Sequence, residues 1–379
     1  MNDRLIQDLC DLIAIPSVSG SEQQISEFVR QRCTQTGADV QADPHGNVTA
    51  IVAASSDGPI LHVAGHLDTV PPADHWSADP YTPRRLNDRI IGLGSSDMKA
   101  GLAGMLHCLT YFAQQPPASL RLFFDFTICE ENAPPGKRNG VYDICQRYGG
   151  DFAITAEPTG QGNGQHCPAV GSQGHLNIAI TFRGRAAHSA YPELGSNAIH
   201  AAARFIQRLE HHSNNLPRKV LWPGFELVAS RPCASVTTAT AGVAVNVIPD
   251  RCELHVSRRT APGETRQSVA AEIDTLLEGL GPAHYSIHGD EPACLSPPDS
   301  RLIQAARAAF ARASAAFNPR LSRGRQDLVI FAAHRMEIFN VGPGSYQSGH
   351  CPDEFCRIDD LLSGTRLLQL TIEELARMV

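Results

Sequence analysis

The sequence predicts an α/β fold, with helices on both faces of a mainly parallel sheet and an α+β domain inserted into it. Short apolar runs alternate with amphipathic helical patterns in the first part of the chain and again in the last part. Between these parts, after Gly174, strands with alternating apolar residues replace the continuous runs. At 379 residues the chain is also longer than one hydrophobic core usually supports, which favours two domains.

The N-terminal part is predicted to begin with two helices. Apolar residues recur at helical spacing from Leu5 to Ile13, and this pattern ends before Pro16. Ser21 with Gln24 resembles a capping box at the start of the second helix. The strands that follow are predicted at "VTAIVAA", "ILHVAG", "LRLFFDFTIC" and "DFAITAE", with a helix at about 100–112.

The inserted domain is predicted to span residues 177–287. It contains a strand at "LNIAITFRG", a helix at "SNAIHAAARFIQRLEHH", two strands or one bent strand at "AVNVIPDRCELHVSRR", and a helix at "TRQSVAAEIDTLLEGL". The α/β pattern then resumes with the helix "RLIQAARAAFARASAAF", the strand "EIFNVG" and a last helix. Residues 1–176 and 288–379 would therefore form one domain around the insert.

Charge and composition exclude several classes of partner. The net charge is −7, and lysines and arginines are scattered without the basic stripe that binds nucleic acid or an anionic membrane. No apolar run reaches membrane-spanning length, and acidic residues interrupt the N-terminal apolar pattern. The eleven cysteines are dispersed rather than dense. We expect a cytoplasmic protein with no nucleic-acid or membrane partner.

Acidic and imidazole side chains follow five of the apolar segments. Taken singly, a histidine after a strand is usually a hydrogen-bonded loop residue, paired glutamates a solvated turn, and an aspartate before a helix an N-cap. Ligands of open α/β sheets, however, lie at the carboxyl ends of the strands. The candidates for such a site are His66, Asp68, Asp97, Glu130, Glu131, Glu157 and His350.

Five carboxylates and two imidazoles at one sheet edge would repel one another without cations, whereas metal ions would turn this repulsion into binding. Histidine and carboxylate ligands around a pair of ions suit zinc, with cobalt or manganese as alternatives. The sequence therefore predicts a metal site at the carboxyl edge of the sheet.

Five motifs extend this prediction to a family. "AGHLDTVPP", "GLGSSDMKAG", "CEEN", "AEPT" and "GPGSYQSGHCPDE" match, in order and spacing, the dinuclear zinc deacylases of the M20 metallopeptidase family. That family includes succinyl-diaminopimelate desuccinylases, acetylornithine deacetylases, aminoacylases and carboxypeptidases. The resemblance covers nearly the whole chain and implies a zinc-exopeptidase-like catalytic domain with two Zn²⁺ ions, and a lid and dimerisation domain formed by the insert.

The resemblance also implies roles for the candidate residues. Asp97 would bridge the two ions, with His66 and Glu157 completing one site. Glu131 and His350 would complete the other. Asp68 would orient the ring of His66. Glu130 would stay off the metals and act as general base, taking a proton from water and later giving it to the leaving amine.

Three residues of the insert carry implied roles. "FRGRAAHSAYPELGSNAI" resembles the family's lid motif, in which a histidine, here His188, reaches the partner subunit's site and stabilises the oxyanion. This implies a homodimer. Asn246 in "NVIPD" and Arg259 in "SRRTAPG" align with substrate-holding segments of desuccinylases. The alternative for Arg259 is a solvated charge on a strand.

The predicted function is metal-dependent hydrolysis of the amide bond of a small N-acylated amino acid, with desuccinylase-like activity favoured. Acetylornithine deacetylase is the nearest alternative, followed by a dipeptidase or carboxypeptidase. A metal-binding or small-molecule-binding scaffold without catalysis is a further class, but Glu130 argues against it. Two departures from desuccinylases, Gln173 before the lid and Arg325 two residues before Asp327, bear on acyl-group specificity.

Overall fold

The computed structural model describes residues 2–55 and 57–379 and divides into two compact units. One unit comprises Met1–Gly171, Leu295–Arg320 and Gln326–Val379, and the other comprises Ser172–Cys294 and Leu321–Arg325. The predicted limits of the insert, 177 and 287, fall inside strands that run from 174 to 183 and from 283 to 291. Apolar alternation marks the middle of a strand better than its ends, so the predicted limits lie within these strands.

The N-terminal segment begins with two helices that pack their apolar sides inward. In α2 the N-cap is Glu22, which makes no side-chain capping bond, so the capping box predicted from Ser21 and Gln24 is wrong. The elements are α1 (Asn2–Ile13), α2 (Gln23–Thr34), β1 (Asp39–Ala42), β2 (Val48–Val52), β3 (Ile60–His66), β4 (Arg84–Leu86), β5 (Arg89–Ile91), α3 (Lys99–Gln114), β6 (Arg121–Thr127), α4 (Val141–Tyr148), β7 (Phe152–Thr155) and β8 (Ala169–Ser172).

The middle segment is mostly antiparallel. Its elements are β9 (Gly174–Arg183), β10 (Ala187–His188), a 3₁₀ turn (Pro192–Leu194), α5 (Ala198–Asn214), β11 (Lys219–Val220), β12 (Ala229–Ser230), β13 (Cys233–Ala241), β14 (Val247–Ile248), β15 (Arg251–Thr260), α6 (Arg266–Leu277), β16 (Ala283–Glu291) and β17 (Cys294–Leu295). The segment "AVNVIPDRCELHVSRR" thus forms two strands, β14 and β15, one of the two predicted alternatives.

The C-terminal segment belongs to the first unit except for Leu321–Arg325, which belong to the second. Its elements are α7 (Arg301–Arg312), β18 (Arg320–Ser322), α8 (Leu328–Ala333), β19 (Glu337–Asn340), β20 (Phe355–Arg357) and α9 (Ile358–Ala376).

The large sheet of the first unit has a parallel centre and antiparallel edges. Its order is β1-β2-β6-β3-β7-β19-β8-β17, and β3, β6, β7 and β19 run parallel to one another. Every residue of β3 is buried, as expected for a central parallel strand covered on both faces. This arrangement confirms the predicted fold class. The four parallel strands end at the same edge of the sheet, where His66, the paired glutamates, Glu157 and His350 lie at or after their carboxyl ends. Asp97 instead follows β5, which belongs to a separate three-stranded sheet.

Helix α3 lies very close to the segment that follows β7. A Cβ atom at Gly101 would come within 2.2 Å of the carbonyl oxygen of Ala156, so this approach requires glycine. The close packing brings the start of α3, which follows Asp97, beside the residue that precedes Glu157.

The second unit contains a four-stranded antiparallel sheet in the order β13-β15-β9-β16. Alternate residues of β9 and β15 are buried, among them Ile178, Ile180, Leu254 and Val256, and form a core with Phe205 of α5. Strand β13 was not predicted, because most of its residues are exposed and its small and hydroxyl side chains give no apolar alternation.

Candidate metal centre

The carboxylate of Asp97 lies between the two candidate histidines. Its Oδ1 is 3.3 Å from Nε2 of His66, and its Oδ2 is 3.6 Å from Nε2 of His350. One carboxylate therefore presents a different oxygen to each imidazole, as a group shared between two neighbouring sites would.

A glutamate accompanies each histidine. On one side, Oε1 of Glu157 lies 3.7 Å from Nε2 of His66. On the other, Oε1 of Glu131 lies 2.8 Å from Nε2 of His350. Donor atoms of His66, Asp97 and Glu131 all lie within 4.8 Å of one another. The structure thus brings together all five residues that the resemblance assigns to the metals.

Strand β3 and a main-chain contact orient the ring of His66. The ring is 1% exposed, and its Nδ1 lies 2.8 Å from the carbonyl oxygen of Asp68. That oxygen can only accept, so Nδ1 donates the hydrogen bond and Nε2 is left to face Asp97 and Glu157. The orientation of His66 is therefore set by the backbone of Asp68, with the carboxylate farther away, at 3.7 Å.

The carboxylate of Asp68 instead organises the turn that carries the paired glutamates. It is fully buried and accepts hydrogen bonds from the amide nitrogens of Glu130 (3.0 Å) and Glu131 (3.1 Å). The hydroxyl of Ser19 donates a third bond, at 2.7 Å. Asp68 thus holds the backbone from which both glutamates project, a contact that its spacing from His66 did not reveal.

Glu354 clamps the loop that presents Asp97, and sequence analysis missed it. Its carboxylate accepts from the amides of Gly94 (3.0 Å), Ser96 (2.8 Å) and Asp97 (2.9 Å). Because α3 begins at Lys99 with Met98 as its N-cap, Asp97 is not the helix cap that its position suggested. Sequence analysis could have found Glu354 from the acidic pair that follows His350 in "HCPDE".

The crowded carboxylates hold protons on the site. Burial disfavours the charged form of His66, but Asp97, Glu157 and Asp68 outweigh it and raise its pKa well above the usual value. Burial, and next the charge of Asp97, raise the pKa of Glu157. The hydrogen bond to Glu131 is the main reason that the pKa of His350 rises to about 9.

These donors fit divalent cations. Histidine nitrogens and carboxylate oxygens are zinc ligands at about 2.0–2.2 Å, and two such ligands in tetrahedral geometry lie about 3.3 Å apart. The separations around His66, 3.3 and 3.7 Å, are close to this value. A cation would replace the protons that the carboxylates otherwise retain.

Tyr346 is a second residue that sequence analysis missed. Its ring lies 4.5 Å from the guanidinium of Arg320, and the side-chain amide of Gln326 donates a hydrogen bond to its hydroxyl. Burial raises its pKa, with further contributions from the carboxylates of Glu157, Asp97 and Glu130. The tyrosine hydroxyl is therefore part of the surroundings of the carboxylate cluster.

The three candidates of the insert lie in the second unit. His188 is exposed in β10, which pairs with β14, and the amide of Ser189 donates to the carbonyl of Asn246 at 2.9 Å. His188 and Asn246 are therefore neighbours. Arg259 is half-buried in β15, and its Nη1 has no hydrogen-bond partner within the described part of the chain.

The two departures from the desuccinylase pattern also lie in the second unit. Gln173 is buried, and its amide donates to the carbonyl of Arg231 at 3.0 Å. Arg325 donates from Nε to Glu291 at 3.1 Å. Glu291 and Arg259 each pair in register with His175 of β9. Arg325 and Arg259 therefore belong to one polar cluster.

No helix within residues 2–55 and 57–379 is both long and apolar enough to cross a lipid bilayer.

Known proteins resemble this chain over most of its length. A succinyl-diaminopimelate desuccinylase of Stenotrophomonas maltophilia is 30% identical over 380 residues, covering 97% of each chain. An acetylornithine deacetylase of Photorhabdus laumondii is 28% identical over 369 residues, covering 91% of this chain and 90% of that protein. The structure of the Bacillus subtilis YxeP protein, a dinuclear metal-binding peptidase, shares the fold with a TM-score of 0.77 at 18% identity, covering 100% of this chain and 98% of that one. Residues 62–374 match the sequence pattern of peptidase family M20/M25/M40, and the chain therefore belongs to that family.

Proposed function

We propose that this protein hydrolyses the amide bond of a small N-acylated amino acid with the help of divalent metal ions. The observation that carries the proposal is the position of Asp97, whose two oxygens face His66 and His350 separately. The similarity to desuccinylases and deacetylases over nearly the whole chain supports the class of substrate.

We expect each chain to bind two zinc ions, with cobalt or manganese as alternatives. His66, Glu157 and one oxygen of Asp97 would hold the first ion, and His350, Glu131 and the other oxygen would hold the second. When bound, such ions supply Lewis-acid stabilisation of developing negative charge and lower the pKa of water.

Glu130 is the proposed general base. Its backbone is held by Asp68 next to Glu131, and its charge acts on His66, Glu157 and Tyr346. A carboxylate beside the metal ligands can take a proton from the attacking water and deliver it to the departing amine. This role distinguishes a hydrolase from a metal-binding scaffold, which has no use for such a group.

The second unit, with predicted limits 177–287, is proposed as a lid and dimerisation domain. His188 would donate a hydrogen bond to the oxyanion in the partner's site, a contribution of about 2.7 to 4 kcal/mol. Its exposure and its position beside Asn246 support this role. The unpartnered Nη1 of Arg259 supports binding of a substrate carboxylate. The homodimer and the cytoplasmic location stay predictions.

Complementation between inactive subunits tests the lid. Mixed dimers of His188→Ala and Glu130→Ala subunits would contain one site with its own Glu130 and the partner's His188. Such mixtures should regain activity when the subunits exchange. Exchange without recovered activity would exclude a role across the dimer.

The substrate is tested with the zinc-loaded protein and three kinds of amide. We expect the highest kcat/KM with succinyl-diaminopimelate, and acetylornithine and a panel of dipeptides represent the alternatives. Glu130→Gln is the matched control, and should lower kcat by about 10² to 10⁴-fold while metal content is retained. Glu131→Gln should lose metal instead. A wild-type protein that binds metal but hydrolyses none of these amides would contradict the proposal.

A further inference from the structure

A cleft of about 740 Å³ lies among the helices of the first unit, and the proposed reaction does not use it. Its floor is one face of α3, from His107 to Gln114. Guanidinium groups from four other helices line it, and we call it the arginine cleft. The four are Arg4 of α1, Arg32 of α2, Arg312 of α7 and Arg366 of α9.

The arginine cleft is separate from the metal centre. Helix α3 begins at Lys99, two residues after Asp97, and rises about 1.5 Å per residue. The floor therefore starts about 12 Å along the helix, at His107, and ends about 22 Å along it, at Gln114. A ligand held over this face of α3 would lie well away from Asp97.

The lining carries an excess of positive charge on an acidic protein. Four arginines line the cleft together with two acids, Asp8 and Glu373, and Arg312 also contacts Glu374 beside it, so the arginines outnumber these acids by one. The whole chain, by contrast, has a net charge of −7. A local excess of this kind attracts anions into a concave site.

The hydrogen-bonding partners show which guanidinium groups are available. The buried carboxylate of Asp8 is shared by Arg4, at 2.9 Å, and Arg32, at 3.0 Å. Arg312 contacts Glu373 at 2.6 Å and also Glu374. Arg366 is exposed in the cleft and makes no side-chain hydrogen bond or close ion pair within residues 2–55 and 57–379, although its charge acts on Glu373. Its planar fork of donors is therefore free to bind a carboxylate.

We propose that the arginine cleft binds a small organic dicarboxylate. Helix α3 packs against α1, α2 and α9, which carry Arg4, Arg32 and Arg366 of the cleft. One carboxylate would bind Arg366, and the second would lie near Arg4 and Arg32, which share a single acid. The volume falls within the range of small-molecule sites and exceeds what one phosphate ion requires. The side-chain amide of Gln114 supplies a further donor at the end of the floor, whereas the hydroxyl of Thr110 donates to the carbonyl oxygen of Leu106 at 2.8 Å.

The proposal is tested by calorimetric titration of the metal-loaded protein, which measures binding rather than turnover and so does not depend on the proposed function. The probes are glutarate, its monocarboxylate counterpart butyrate, and inorganic phosphate. Glutarate should bind saturably and more tightly than the other two. Arg366→Gln should weaken glutarate binding about tenfold, the effect of losing one charged hydrogen bond. Arg204→Gln, an exposed arginine of α5, is the matched control and should change nothing.

A second variant addresses the volume of the cleft rather than its charge. Thr110 is exposed on the floor, and Thr110→Trp should obstruct glutarate while leaving metal content unchanged. The proposal is overturned if wild-type protein does not bind glutarate, if phosphate or butyrate binds at least as tightly, or if Arg366→Gln and Thr110→Trp both retain wild-type affinity. The last result would place any bound glutarate elsewhere on the protein.

Discussion

Strand β3 carries two buried histidines four residues apart, and they differ in the number of carboxylates that each imidazole meets. The period of a strand places His62 and His66 on the same face. His62 is 0% exposed, with Nδ1 2.6 Å from Oδ2 of Asp125 and Nε2 2.6 Å from the carbonyl oxygen of Gly149. Both of its nitrogens are therefore occupied, one by a carboxylate of β6 and the other by the carbonyl at the end of α4.

His66, at the carboxyl end of the same strand, meets three carboxylates, those of Asp68, Asp97 and Glu157. One imidazolium balances one carboxylate at His62, whereas negative charge remains in excess at His66. Burial opposes protonation of His62, but Asp125 outweighs it and raises its pKa. Two histidines of one strand therefore have different roles. His62 completes a buried ion pair, whereas His66 helps to form a cation site, because more carboxylates surround it.

The largest effect is expected from removing the imidazole at the sheet edge. His66→Ala deletes one of the donors around Asp97, so the protein should lose at least one metal ion and its hydrolytic activity should fall below detection. Elemental analysis and an amidase assay measure the two losses. A His66→Ala protein with wild-type metal content and activity would show that His66 does not bind the metal.

Removing the interior imidazole should affect stability rather than chemistry. His62→Leu leaves the buried carboxylate of Asp125 without its charged partner, with only the hydroxyl of Thr49 still donating to it, which should lower the free energy of unfolding by about 3 to 5 kcal/mol. The folded fraction should keep its metal and its kcat. Urea unfolding measures the loss. The double variant His62→Leu/Asp125→Leu is the control and should recover part of it, since no buried charge is left unpaired.

Metal affinity should rise with pH. His66 and Glu157, whose pKa values are raised, and His350, with a pKa of about 9, must lose protons before they can ligate a cation. Zinc titrations between pH 6 and 9 should show tighter binding and proton release as pH increases. Affinity that is independent of pH would mean that protons and cations do not compete at the sheet edge.

The smallest effect is expected for the stabilisation by the pair of His62 and Asp125. This stabilisation should fall as pH rises, whereas metal affinity should increase. The folded pKa of His62 lies above its unfolded value, so the stabilisation is complete below about pH 6.5 and is lost as pH rises through the folded pKa. In metal-free protein, the difference in unfolding free energy between wild type and the His62→Leu/Asp125→Leu variant should shift against the wild type between pH 6 and 9. A constant difference would mean that His62 does not hold its proton in the folded protein.

Much of the fold and of the site could be predicted, because both leave local signals. Apolar runs and helical spacing predicted the alternation of β3, α3, β6 and β7, and each run ended before its acidic or imidazole residue. Sequence analysis failed where a local pattern was misleading or absent. The proposed capping box at Ser21 did not form, and the largely exposed β13 gave no apolar alternation.

The sequence by itself determined the strands and helices that have an apolar pattern and the acidic and imidazole groups that follow them, because periodicity and strand ends are local properties. Only the tertiary structure decided which groups meet. His62 pairs with Asp125 because β3 and β6 are neighbours in parallel register, although 63 residues separate the two side chains. Glu354 clamps the Asp97 loop across 257 residues, and the carboxylate of Asp68 binds the glutamate turn rather than the ring of His66. Such contacts depend on how strands are ordered in the sheet, which no local pattern specifies.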